Sequence, residues 1–255
     1  MNLPADDRGL LLGDGLFETL LAEAGELRHF DLHLRRLERG CAVMGLPAPD
    51  RMAAQAAADD ALAAAGLAGA RAAVRLTWTA GSGRGLDRPP DATPRLIGMA
   101  APAPAATAPV RLATVAVRRN ETSPAARLKT LSYLDNVLAR REARASGADE
   151  ALMLNTRGEI ACAASGNLFW IAQDRLFTPA LECGVLDGIV RGQVLEAAAA
   201  MGVETHEVRS DSRVLAEAVA VVLTNSLVGV VPVRQLDGRD LEGHRLVEAL
   251  SSRCR

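Results

Sequence analysis

The chain has 255 residues, enough for one compact unit or two closely packed lobes and too few for two large domains. Its formal charge of −2 and its 3% aromatic content offer neither the basic footprint nor the stacking platforms of a nucleic-acid binder. Four cysteines, at 41, 162, 183 and 254, form no C-x-x-C, so the expectation is free thiols in a reducing compartment rather than a zinc centre.

The first residues, "MNLPADDRGLLLGDG", show no basic segment followed by an apolar one, so no signal peptide is expected and a cytoplasmic location is. "LFETLLAEAGELRHF" reads as a hairpin turning at Gly25. "DLHLRRLERGCAVMGL" has helical apolar spacing, with Asp31 as the expected N-cap and His33 as a structural helix residue. A second helix follows in the alanine-rich "RMAAQAAADDALAAAGL". "ARAAVRLTWTAG" alternates as a strand does, "GSGRG" breaks it, and "ATPRLIGMAAPAP" is another strand.

"APAPAATAP", residues 101–109, reads as a Pro/Ala linker. Beyond it come the strand "VRLATVAV" and the helix "SYLDNVLARREARASG", closed by Gly147. "EALMLNTRGEIACAASGNLFWIAQDRLFTP" is a succession of short strands. "LDGIVRGQVLEAAAAMG" is a helix opening near Gly188, and "AEAVAVVLTNS" and "GVVPVRQLDGRDL" complete the chain. The expected class is α+β. A smaller N-terminal lobe spans residues 1–100, the linker 101–109, and a larger C-terminal lobe 110–255.

Of the 29 lysines and arginines only Lys129 is a lysine, and it stands four residues before the sole tyrosine, Tyr133, in "ARLKTLSYLDN". A compositional drift toward arginine can replace lysine wherever only positive charge is needed. It cannot do so where the group must lose its proton. Three polar breaks add to this. Gly188 precedes a helix whose N-terminal N–H groups suit a phosphate. Thr224, Asn225 and Ser226 end an apolar strand with hydroxyls and an amide, and Arg36 in "HLRRL" offers a forked donor. An amine for an aldehyde plus an anion cup fits pyridoxal 5′-phosphate.

The segments "DRGLLLGDGLFETL", "HLRRL", "GSGRG", "RNETSPAARLKTLSYLDNVLARREARASGADEALMLNTRGEI", "GNLFW", "LDGIVRGQVLE" and "LTNSLVGVVPV" together resemble the class IV aminotransferases, the fold-type IV pyridoxal-phosphate enzymes. "KTLSYL" and "GDGLFETL" are most similar to the 4-amino-4-deoxychorismate lyase branch. The resemblance implies a two-lobed fold like that of D-amino acid aminotransferase, with the cofactor on the larger lobe. It implies that Lys129 forms the Schiff base and moves the proton. Arg36, the backbone of Ile189 and Val190, and Thr224, Asn225 and Ser226 would hold the phosphate, with Tyr133 at the ring oxygen. Arg84 in "GSGRG" would take a substrate carboxylate, with Phe17 on the substrate side. A homodimer is implied as well, with no nucleic acid, membrane or metal.

The implied reaction is elimination of pyruvate from 4-amino-4-deoxychorismate to give 4-aminobenzoate, a step of folate biosynthesis. The alternatives are a branched-chain or D-amino acid aminotransferase and a catalytically impaired homologue. The last arises because relatives carry a glutamate for the pyridine nitrogen five residues before the asparagine of "NLF", and here that position is Cys162. A neutral thiol is a poor partner for a pyridinium. Glu159, three residues earlier, falls on a different strand face.

Overall fold

The computed structural model of the chain describes residues 3–103 and 108–254. It divides into two compact units, one of residues 1–104 with Leu128–Ser132 and one of residues 105–127 with 133–255. The sequence boundary falls at 100 and 110, whereas the structure divides at 104 and returns the Lys129 segment to the first unit. Of the Pro/Ala segment, Ala101 and Pro102 still belong to a strand and residues 104–107 lie outside the described residues.

The first unit is an antiparallel four-stranded sheet in the order β2-β1-β3-β4. Its strands are β1 (Gly15–Glu23), β2 (Glu26–Leu27), β3 (Ala72–Thr79) and β4 (Arg95–Pro102). Gly25 makes the turn with φ 85°, a conformation that glycine adopts without steric cost. Helices α2 (Phe30–Met44) and α3 (Arg51–Ala64) bury Leu34, Ala54, Ala58 and Leu62 against Leu20, Val74 and Leu76 of the sheet. Asp31 is not the cap of α2. His29 takes that place in a left-handed conformation, and Asp31, within the first turn, pairs with Arg51 at 2.8 Å. A short helix, α1 (Arg8–Leu12), precedes β1; five residues are too few to show a periodicity.

The second unit is a nine-stranded mixed sheet. It comprises β5 (Val110–Arg119), β6 (Glu150–Asn155), β7 (Ile160–Ala163), β8 (Asn167–Ala172), β9 (Arg175–Pro179), β10 (Thr205–Val208), β11 (Ala220–Asn225), β12 (Gly229–Leu236) and β13 (Arg239–Asp240). The order is β10-β9-β8-β11-β12-β5-β6-β7, with β13 beside β12. Both faces of the central strands are buried, so they read as continuous apolar runs such as "ALML" and "AVVL" rather than alternating ones. One core gathers Leu152, Leu168, Trp170, Leu223 and Val233. A second holds α5 (Ile189–Ala200) and α6 (Arg245–Arg253) against β8 and β11 through Val190, Val194, Leu250, Phe169 and Val222. α4 (Leu134–Ala145) packs through Ala139 and Ala143 onto Val115 and Met153. Leu246, Val247 and Leu250 give α6 a helical stripe, but it is short and falls in a polar C-terminal stretch.

Candidate active site

In the first unit, strand periodicity puts Leu16, Glu18 and Leu20 on the face that α2 covers. A carboxylate buried there alone would be costly. Helix α2 supplies its partners from positions three apart, on one side of the helix. Arg36 donates to Glu18 through Nε at 2.8 Å and a terminal nitrogen at 2.5 Å, and His33 Nδ1 lies 2.7 Å from the same carboxylate. Burial pushes the Glu18 carboxyl up, but the Arg36 guanidinium and then His33 outweigh it and hold it at about 2. Burial keeps His33 below its ordinary value, so at neutral pH its Nδ1–H donates to Glu18. Its Nε2 is buried with no hydrogen-bond partner among the described residues.

Lys129 joins this unit through the backbone. Phe17 N–H donates to the Lys129 carbonyl at 2.9 Å and Leu131 N–H to the Gly15 carbonyl at 3.0 Å, so the lysine segment lies along β1. The Lys129 ammonium is 4.4 Å from the Phe17 ring centroid, and the Arg75 guanidinium is 3.6 Å from the same centroid. Arg75 comes from β3, opposite Thr19, and its Nε donates to Thr77 Oγ1 at 3.1 Å. Burial, then Arg36, with Arg75 adding to them and Glu18 opposing, lowers the Lys129 ammonium to about 8. The environment therefore moves this amine into the range where it can give and take a proton near neutrality.

In the second unit, α5 starts at Ile189 after Gly188, with no side chain capping its first N–H groups. A Cβ at position 188 would lie 2.0 Å from Asn167 Oδ1, so any larger residue there must displace that amide. Asn167 Nδ2 donates to the Leu186 carbonyl at 2.9 Å, and Asn167 is the strand partner of Thr224. The open helix end of Ile189 and Val190 is thus tied to the strand end that carries Thr224. The Thr224 hydroxyl is buried without a hydrogen-bond partner among the described residues. Asn225 Oδ1 accepts the N–H groups of Leu227 at 3.0 Å and Val228 at 3.2 Å, which turns the chain at Ser226. An orphaned hydroxyl beside an uncapped helix N-terminus fits a phosphate.

Tyr133 stands at the N-cap of α4 without a side-chain cap bond. Cys162 is on β7 opposite Met153, packed among Val115, Ala139 and Ala151, and burial pushes its thiol up. Glu159 is tied elsewhere, to Arg209 at 2.8 Å and to the Asn155 amide at 2.7 Å. Arg84 is exposed on the loop after β3.

The structure gathers Phe17, Arg36 and Lys129 in the first unit, and Thr224 with the Ile189–Val190 helix end in the second. Sequence reading misses Glu18 and Arg75. A charged residue at an inward strand position signals the first. The second alternates with apolar residues as any solvated strand arginine would.

The amino-transferase class IV family profile matches residues 15–236. A Methanocaldococcus jannaschii protein assigned as a branched-chain-amino-acid aminotransferase is 31% identical over 249 residues, 95% of this chain and 85% of its own. The solved 4-amino-4-deoxychorismate lyase from Pseudomonas aeruginosa is 35% identical with a TM-score of 0.88, covering 99% of this chain and 94% of that one. A hypothetical aminotransferase from Mycobacterium tuberculosis, solved in its PLP-bound form, is 27% identical with a TM-score of 0.85 over 99% of this chain and 92% of that one.

Proposed function

The chain belongs to the class IV aminotransferase family, and from that premise we propose that it is a pyridoxal-phosphate-dependent lyase. Its substrate would be 4-amino-4-deoxychorismate, and its products 4-aminobenzoate and pyruvate. The observation that carries the reading is the amine of Lys129, half-buried beside Phe17 and brought to about 8. When bound, pyridoxal phosphate supplies an aldehyde that captures amines and a ring that withdraws electrons.

The protein's own groups do the rest. Lys129 Nζ takes the proton from the amine-bearing carbon of the substrate ring. Arg36, the N–H groups of Ile189 and Val190, and the polar run Thr224, Asn225 and Ser226 bind phosphate. Tyr133 would hold the cofactor's ring oxygen, and Arg84 would take a substrate carboxylate. Cys162 would stand toward the pyridine nitrogen as a neutral group. Loss of pyruvate leaves an aromatic ring, so this elimination depends less on electron withdrawal than amino transfer does, and that favours the lyase. We read the protein as a homodimer; the exposed Leu10, Leu11 and Leu12 of α1 support a buried partner face.

A second reading, branched-chain amino transfer, is favoured by the Methanocaldococcus jannaschii relative. The two separate cleanly. Incubation with 4-amino-4-deoxychorismate yields 4-aminobenzoate and pyruvate if the protein is the lyase. New amino acid from branched-chain donors and 2-oxoglutarate, without aminobenzoate, would overturn that assignment.

A further inference from the structure

The segment "ADDRGLLLGDG" contributes no side chain to the proposed chemistry, yet it holds Arg8, an arginine only 2% exposed. Arg8 is held against the loop that carries Arg84. On the near side of Arg84 the contact is through backbone: Arg8 N–H donates to the Gly81 carbonyl at 2.8 Å, and Gly83 N–H to the Asp6 carbonyl at 3.0 Å. Ser82 Oγ adds a bond to Asp6 Oδ1 at 2.9 Å. On the far side the contact is the guanidinium itself. Its terminal nitrogens donate to the carbonyls of Gly85 at 2.9 Å, Leu86 at 2.9 Å and Asp87 at 3.1 Å. Its Nε donates to Asp14 Oδ2 at 2.8 Å. Asp14 in turn receives Arg88, through Nε at 2.9 Å and a terminal nitrogen at 2.5 Å.

Both flanks of Arg84 are therefore pinned, while Arg84 itself is exposed and has no hydrogen-bond or ion-pair partner among the described residues. Gly83 lets the loop fold back on itself, since a Cβ there would lie 2.6 Å from Pro89 Cδ and 3.3 Å from Arg8 Cδ. A fixed backbone under an uncommitted cation is the arrangement that lowers the ordering cost of binding an anion.

We propose that Arg8 is a positioning residue for Arg84: it locks the loop of residues 81–88 so that Arg84 meets a substrate carboxylate without first being ordered. This rests on the reading of Arg84 as the carboxylate-binding group. The planar fork matters, because a lysine at position 8 offers a compact point charge that cannot span three successive carbonyls. Those carbonyls belong to exposed residues. Water can replace the lost bonds, so the variant frees the loop without emptying a core.

The test uses the full-length holoenzyme, with Arg8→Lys, Arg84→Ala and the double variant. In Arg8→Lys, amide hydrogen exchange at residues 83–88 should accelerate about tenfold, the change expected when local opening replaces a fixed loop. KM for 4-amino-4-deoxychorismate should rise about ten- to hundredfold, the scale of a misplaced positioning group, while the cofactor absorbance stays that of the wild type. In the Arg84→Ala background Arg8→Lys should add no further KM penalty, since the two act through one contact. A purely structural arginine would lower the melting temperature and impose the same penalty in both backgrounds, which would overturn the proposal. So would unchanged exchange at 83–88. If Arg8→Lys does not fold, Asp14→Asn loosens the same clamp and must accelerate exchange at the same residues. If the wild type makes no aminobenzoate, the lyase reading fails by itself, and the exchange measurement still decides whether Arg8 fixes the loop.

Discussion

The Lys129 ammonium lies 4.4 Å from the centroid of the Phe17 ring, and the backbone N–H of Phe17 donates to the Lys129 carbonyl at 2.9 Å. One strand residue therefore fixes both the main chain and the charged end of the lysine. The native amine titrates at about 8 against 10.5 for an ordinary lysine. Between those values the unfolded chain holds more protons than the native one, so stability rises with pH across that window. The full penalty is present below it. In the apoprotein, Lys129→Met should be the more stable form at pH 7, by on the order of 3 kcal/mol at most. The difference should disappear as pH rises through the window. Denaturant unfolding at several pH values measures it, and a pH-independent difference would show that the amine is not perturbed. In the holoenzyme, borohydride reduction and peptide mapping should place the cofactor on Lys129.

Glu18 works in the opposite sense. Its native carboxyl sits at about 2 against 4.5 ordinarily. The stability it contributes is complete above the ordinary value and is lost as pH falls toward the native one. Glu18→Gln takes the carboxylate away from the buried Arg36 guanidinium, and removing one member of a buried pair costs about 3–5 kcal/mol. The gap between wild type and variant should be constant from pH 5 to 7 and should narrow below about 4.5, near the ordinary glutamate value. Acid unfolding followed by circular dichroism tests this; a gap that persists unchanged to pH 2.5 contradicts it.

Thr224 buries a hydroxyl that no described residue engages. Thr224→Val keeps the shape and removes the orphan, so the apoprotein should be no less stable than the wild type. Pyridoxal phosphate should bind more weakly by about 1.5–3 kcal/mol, the worth of a hydrogen bond to a charged group. Pyridoxal, which lacks the phosphate, should bind both proteins equally. Spectroscopic titration with the two ligands separates a phosphate contact from a general loss of fit.

Much of this was legible in the sequence, for identifiable reasons. Lys129 stands out because arginine has replaced lysine everywhere else, and the Gly188 helix start is visible because glycine breaks the apolar spacing. The β7 to β9 strands are bounded by turns that local composition marks, including Gly158 with φ 81°. What escaped depends on neighbours distant in sequence. Glu18 gains its meaning from Arg36, 18 residues on, and Arg8 from carbonyls 77 to 79 residues away. The cap of α2 escaped for a local reason. His29 adopts a left-handed backbone, φ 56°, that residue type alone does not announce, while Asp31 is drawn to Arg51.

Cys162 carries the most discriminating expectation. The family resemblance implies a glutamate at its position; here the side chain is packed among small apolar side chains, and burial pushes its thiol up. Arg119 bears on its surroundings as a cation, and Glu150 as an anion. If Cys162 faces the pyridine nitrogen, Cys162→Glu places a carboxylate there and favours the protonated ring. Stronger electron withdrawal assists amino transfer more than an elimination that is already driven by aromatisation. The ratio of transaminase half-reaction to aminobenzoate formation should therefore rise, read as loss of the cofactor's aldehyde absorbance on adding an amino acid. Glutamate is larger than cysteine, and overpacking costs about 1–3 kcal/mol, so the melting temperature should fall. Cys162→Ser controls for loss of the thiol alone and should leave the ratio where it was. A Cys162→Glu protein that folds, binds pyridoxal phosphate and shows the wild-type ratio would mean that position 162 does not address the ring nitrogen.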